Sequence, residues 1–119
     1  MAAAKFEAEM QAFQALQREF TKVVQSRTQL ESQLKENEMV SKEFDLLKDD
    51  ATVYKLIGPV LVKQDRAEAT TNVKKRIEFI TSEIKRLEKQ INEMEEKQEK
   101  KRSEMMQMQQ ALQAQRQQA

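Results

Sequence analysis

The 119-residue sequence has no cysteine, histidine or tryptophan, one glycine, one proline and few aromatics: one tyrosine and five phenylalanines. Each absence closes off a class of chemistry. Without cysteine there are no disulfides and no thiolate metal sites, and a reducing compartment is permitted. Without histidine, cysteine or a glycine-rich phosphate loop, the usual nucleophiles, bases and phosphate cradles are missing. Glutamate and lysine are plentiful, but they belong to solvated helix faces with no concave site to shift a pKa. The expectation is a non-enzyme with no cofactor and no metal. The N-terminal stretch MAAAKFEAEM lacks an apolar core of signal-peptide length, and no run approaches the ~18 apolar residues of a membrane span. A cytoplasmic chain without a membrane partner is expected.

Charge of one sign is also missing. There are 21 basic and 20 acidic residues. Residues 1–50 carry 7 basic and 10 acidic groups, net −3; residues 51–66 carry 3 and 1, net +2; residues 67–119 carry 11 and 9, net +2. No segment has the field that nucleic acid favours. The triplets Lys74-Lys75-Arg76 and Lys100-Lys101-Arg102 lie among glutamates and read as solvated faces rather than a basic arm. With 34% charged residues and a mean hydropathy of −0.83, the composition suits disorder or long helices, and periodicity decides between them.

Periodicity favours helices. Residues 5–48 contain no glycine or proline, and Phe6, Phe13, Leu16, Phe20, Val23, Leu30, Leu34 and Phe44 recur at combinations of three and four. Val40 and Leu47 join that stripe only if the repeat slips by about one position near Asn37. In the second half Val73, Ile77, Ile80, Ile84, Leu87, Ile91 and Met94 fill successive heptad positions without a gap. The seam continues through Gln98, Lys101, Met105, Met108 and Leu112 and so turns mixed in its last third. Asp65 followed by Glu68 reads as a capping-box variant opening the second helix. Thr70, Thr71 and Asn72 are poor helix formers that argue for a later start. At 1.5 Å per residue the helices would reach roughly 65 and 75 Å, a rod rather than a globule.

Both stripes are too narrow to stand alone, and the short connection lets each helix serve as the other's partner in an antiparallel coiled coil. Centring the fold-back near residue 57 puts Leu34 near Ile80, Val23 near Ile91, Phe20 near Met94 and Phe6 near Met108. The expected coiled-coil core is therefore Phe20, Val23, Leu30, Leu34, Val73, Ile77, Ile80, Ile84, Leu87, Ile91 and Met94. Arg27 and Asn37 fall opposite Leu87 and Ile77, either as solvated, snorkelling side chains or as register-setting ones.

Between the helices stands TVYKLIGPVLVKQ, residues 52–64, with the chain's Gly58 and Pro59. Apolar residues flank a two-residue turn. Glycine supplies the positive φ of the first central position of a type II′ turn, and proline's fixed φ suits the second. This reads as a β-hairpin at the end where the helices meet. Seven of the ten residues 53–62 are apolar and point to both faces. Burying all seven would contribute at most ~10–20 kcal/mol, at roughly 1.5–3 kcal/mol each. A single rod has no room for them, and both hairpin edges carry unpaired backbone groups. Val53, Tyr54, Leu56, Ile57, Val60, Leu61 and Val62 are thus the expected assembly residues. The alternative is a hairpin folded down on its own coil.

VYKLIGPVLVKQ set between two heptad helices resembles the β-type subunits of prefoldin, the subunit 6 branch of the eukaryotic forms in particular. The downstream stretch EATTNVKKRIEFITSEIKRLEKQI is similar to the second helix of that family. The resemblance covers nearly the whole chain. It implies a mainly α, single prefoldin-like domain over 1–119, with helix 5–48, hairpin 52–63 and helix 66–117. The family's hairpins join into an inter-subunit β-barrel in a hexamer of two α-type and four β-type subunits, heteromeric in eukaryotes. One hairpin fits the β type. The implied function is a co-chaperone that holds unfolded or nascent chains, notably actin and tubulin, without ATP and passes them to the cytosolic chaperonin. The implied partners are other α- and β-type prefoldin subunits, those clients and the chaperonin.

Client contact is then expected at the far end of the coil. Phe6, Met10 and Phe13 lie on the first helix there, and Met105, Met106, Met108 and Leu112 on the second. Methionine is flexible and polarisable, and Met10 and Met106 are surplus to a tidy seam. Polar Gln98 and Lys101 would weaken the local coil and let the tips splay. Ordinary packing of the distal coil is the bland alternative. The rival function is a coiled-coil scaffold or tether, which explains the heptads and gives no reason for the hairpin.

Overall fold

A computed structural model of the protein describes residues 1–118. Helix α1 runs Ala2–Leu46, strand β1 Val53–Ile57, strand β2 Val60–Gln64 and helix α2 Arg66–Gln118. The chain forms two compact units, Thr28–Lys85 and Met1–Arg27 with Arg86–Ala119. The first holds the hairpin and the adjoining parts of both helices. The second pairs the start of α1 with the end of α2.

In Thr28–Lys85 the strands pair antiparallel, Val53 with Gln64, Tyr54 with Lys63, Lys55 with Val62, Leu56 with Leu61 and Ile57 with Val60. Gly58 and Pro59 remain as the two-residue turn. Gly58 has φ +57°, as the type II′ reading requires, and among the described residues no non-glycine residue has a positive φ. Each helix end beside the hairpin is capped. Asp65 accepts a hydrogen bond from the Ala67 amide at 2.9 Å, satisfying an otherwise orphaned donor of α2's first turn. Glu68 adds an acid in that turn, where the helix dipole favours negative charge. Thr70 and Thr71 do not delay the helix. Their hydroxyls donate to the Arg66 and Ala67 carbonyls four residues back, at 2.9 Å each, which satisfies them within the helix.

The seam is unequal. Ala69, Val73, Ile80, Ile84, Leu87, Ile91 and Met94 of α2 are buried, whereas α1 has no buried residue. Ile77 is half-buried, as are Phe20, Val23, Leu30 and Leu34 of α1. Ala69, absent from the expected core, lies four residues before Val73 and carries the seam back to the start of α2.

The slip expected near Asn37 does not occur. Leu30, Leu34, Asn37, Ser41 and Phe44 form the continuous half-buried stripe, and Val40 is exposed. The heptad passes through two polar residues without changing phase, and Asn37 is accommodated by donating from Nδ2 to the Gln33 carbonyl at 2.7 Å on its own helix. Leu47 lies beyond the end of α1, so no helical register applies to it.

In the other unit two ion pairs tie the helices together. Arg27 Nη2 meets Glu88 Oε1 at 2.8 Å, and Lys101 Nζ meets Glu9 Oε2 at 2.6 Å. Both are partly solvated, so each contributes little to stability, on the order of 0–1 kcal/mol. Their value is directional: Arg27, on the core stripe, finds an anion in this antiparallel register.

Candidate functional site

The first candidate site is the hairpin. A side chain in a two-stranded sheet has the faces and no third layer to hide in, so burial depends on what else packs there. Directly paired residues share a face. Val53, Lys55 and Ile57 with Val60, Val62 and Gln64 make one face, and Tyr54 and Leu56 with Leu61 and Lys63 the other. Tyr54, Leu56, Ile57, Val60, Leu61 and Val62 are all exposed, Leu56 at 67% and Leu61 at 66%, while Val53 is half-buried. The hairpin is not folded down on the helices. Only its base touches them, around a cavity of about 340 Å³ bordered by Val53 and Tyr54 of β1, Val40 and Phe44 of α1 and Val73 and Arg76 of α2. The six exposed side chains form an apolar surface on both faces of one small sheet, the mark of an interaction site. Neither strand has a second strand beside it, so both edges present unpaired backbone groups.

A residue that the sequence pattern does not single out holds the hairpin's stem. Arg66 Nη1 donates to the Lys48 carbonyl at 2.9 Å, and Nη2 donates to the Leu47 and Phe44 carbonyls at 2.9 and 3.2 Å. These carbonyls belong to the end of α1 and the turn after it; those of Phe44 and Lys48 also accept from the Leu47 and Ala51 amides, at 3.3 and 3.0 Å, so Arg66 gives each a second donor and supplies one to Leu47. The last turn of α1 has no basic residue. The first residue of α2 therefore provides the positive charge and the planar fork of donors, joining the ends of the helices across the base of the hairpin. A lone arginine just after an N-cap aspartate is a weak signal in one dimension, because its acceptors lie 18 to 22 residues away.

The second candidate site is the end formed by the start of α1 and the end of α2. Phe6, Met10, Phe13, Met105, Met108 and Leu112 are half-buried, and Met106 is exposed. A cleft of about 480 Å³ lies between the helices here, bordered by Lys5 and Glu9 on one side and Glu104 and Met108 on the other. Lys101 is not the destabilising defect anticipated from its heptad position, because its ammonium reaches Glu9 on the other helix. The hydrogen bond to Glu9 raises the Lys101 pKa above 10.5, against a smaller opposing effect of desolvation. One residue on, the Arg102 guanidinium sits over the Phe13 ring, 6.0 Å from its centroid, at the outer limit of a cation–π contact. Gln98 does behave as a polar intruder: its buried Nε2 has no hydrogen-bond partner. This end is zipped, with one imperfect layer.

Among the described residues there is no group of three or more histidine, cysteine or acidic side chains arranged to hold a metal, and no helix is long and apolar enough to cross a membrane.

Two long helices joined by one antiparallel hairpin is an arrangement found in known proteins. The family model for prefoldin subunits matches residues 7–116. The chain belongs to the prefoldin family. Prefoldin subunit 6 of Arabidopsis thaliana is 58% identical over 80 residues, a match spanning 67% of this chain and 62% of that relative, so less than two thirds of the relative's length is covered. Prefoldin subunit 6 of Mus musculus is 45% identical over 91 residues, spanning 76% of this chain and 72% of the mouse protein. Among solved structures, the prefoldin beta subunit from Thermococcus strain KS-1 superposes with a TM-score of 0.77 at 27% identity, covering 85% of this prefoldin chain and 89% of the archaeal one. The beta2 subunit of the same strain gives a TM-score of 0.67 at 26% identity, covering 77% and 98%. The single hairpin is thus shared with β-type prefoldin subunits.

Proposed function

We propose that the chain is one subunit of a hexameric prefoldin co-chaperone of the cytoplasm, with residues 1–119 acting as a single prefoldin-like domain. Family membership supports a co-chaperone role and assembly with other prefoldin subunits. The observation that carries the reading is the hairpin: six large apolar side chains exposed on both faces of a two-stranded sheet. In water that surface is unfavourable. Strands added at its edges and apolar faces packed on it remove the penalty, and an inter-subunit β-barrel does both. Val53, Tyr54, Leu56, Ile57, Val60, Leu61 and Val62 form this joint around the Gly58-Pro59 turn. The other end, with Phe6, Met10, Phe13, Met105, Met106, Met108 and Leu112, meets unfolded or nascent polypeptides such as actin and tubulin. No ATP is used, and the client passes to the cytosolic chaperonin. The chain works without a cofactor and catalyses no reaction.

Native mass spectrometry of the chain mixed with candidate α- and β-type partners tests this. The wild type is expected to form a hexamer, and the double variant Leu56→Asp, Leu61→Asp to stay out of it. Full hexamer from the double variant removes the hairpin from the joint. A defined homodimer that ignores the partners would instead favour a plain coiled-coil tether.

A further inference from the structure

In Thr28–Lys85 one apolar, positively charged face runs from the hairpin down the helices. Phe79 lies on α2 and is 66% exposed, an unusual amount for a phenylalanine on a helix whose core is filled by its neighbours Ile77 and Ile80. It borders a groove of about 410 Å³ with Leu30 and Asn37 of α1 and Lys75 and Arg76 of α2. Arg76 also borders the cavity at the hairpin base, together with Tyr54 and Lys55. The two depressions therefore share Arg76 as a common wall. Neither has an acidic residue in its lining, and Lys55, Lys75 and Arg76 make no ion pair within the described residues.

We infer that this face, centred on Phe79 and Arg76, is a second, lateral joint on which a neighbouring prefoldin subunit lays an acidic and apolar segment of its own coiled coil. The inference rests on the hairpin being the assembly joint. A neighbour held at β1 is tethered beside the hairpin-base cavity that Tyr54 and Lys55 line and that shares Arg76 with the groove, so its helices are present there at high effective concentration. Two cations without an ion pair, Lys75 and Arg76, beside the exposed Phe79, with Lys55 in the adjoining cavity, favour an occupant that brings carboxylates and apolar side chains together, and disfavour a basic one. An aromatic with arginine beside it is also the composition that dominates interface energetics.

The test uses the assembled hetero-oligomer. Phe79 is replaced by a photo-crosslinking phenylalanine analogue, the complex is formed with its partner subunits, assembly is verified by native mass spectrometry, and the sample is irradiated without client. The expected product joins position 79 to another prefoldin subunit, at a helical segment rich in glutamate or aspartate. A crosslinker at position 75 serves as a second probe should the first disturb assembly. The pair Lys75→Glu, Arg76→Glu is expected to weaken assembly about tenfold, with the loss shrinking as salt is added. An intact complex in which neither position crosslinks to a subunit, or does so only with added client or chaperonin, overturns the inference and leaves the hairpin reading standing. A wild-type chain that forms no complex with any partner overturns both.

Discussion

Arg66 shows how much one side chain can join. Its guanidinium gives three hydrogen bonds to carbonyls at the end of α1 while its own backbone starts α2. Arg66→Ala removes all three charge-assisted bonds; the Phe44 and Lys48 carbonyls keep one backbone donor each, and the part-buried Leu47 carbonyl loses the donor it takes from Arg66. It is expected to lower stability by about 1–3 kcal/mol, measured by urea unfolding of the assembled complex followed by helical circular dichroism. Arg66→Lys should recover only part of that, because an ammonium cannot reproduce the planar fork. Lys101 offers a pH test. Its pKa is raised above 10.5 in the folded chain by the hydrogen bond to Glu9. A cation whose folded pKa is raised contributes fully below its unfolded pKa and loses that contribution as pH climbs through the higher folded value. The stability gap between wild type and Lys101→Met should therefore be constant near neutral pH and close as pH climbs above the ordinary lysine value of 10.5. A gap that persists in strong alkali would mean that the lysine acts through its aliphatic stem.

At the scale of elements, the two helices are not equivalent. Among the described residues α2 contributes every buried side chain, and α1 packs with half-buried ones. Leu87→Ala on α2 should cost about 2–3 kcal/mol, at the low end for a core leucine because the seam is thin. Val23→Ala on α1 should cost roughly 1 kcal/mol in the same unfolding assay. Equal losses would contradict the asymmetry. The α2 heptad was legible residue by residue, since Val73 to Met94 repeats without interruption. α1 was harder to read. Asn37 and Ser41 stand at seam positions with polar side chains, and counting only apolar letters there suggests a slip through Val40 that the chain does not make. Asn37 stays on the stripe because its amide is satisfied by its own helix.

For the whole molecule, the proposed roles divide along the two compact units. The hairpin lies in Thr28–Lys85, and the methionine-rich end in the unit made by Met1–Arg27 and Arg86–Ala119. Removing residues 1–13 and 105–119 takes material from the second unit alone. Such a truncation is expected to join the hexamer normally, by native mass spectrometry, and to lose suppression of client aggregation in a light-scattering assay. Unchanged holding activity would exclude the tips as the client surface.

The sequence by itself determined what is periodic or local: two long helices, the α2 seam, the Gly58-Pro59 turn and the strand pairs beside it. Those follow from spacing, from one positive φ and from the absence of any other glycine or proline, all of which act within a few residues. Tertiary structure alone decided the long-range partners. Arg66 finds the carbonyls at the end of α1, Lys101 finds Glu9 and is no defect, Arg27 finds Glu88, and Phe79 is left in the open beside Arg76. The physical reason is distance along the chain: a periodic pattern says which side of a helix is apolar, and only the packed helices set which polar atom of one comes within 3 Å of the other.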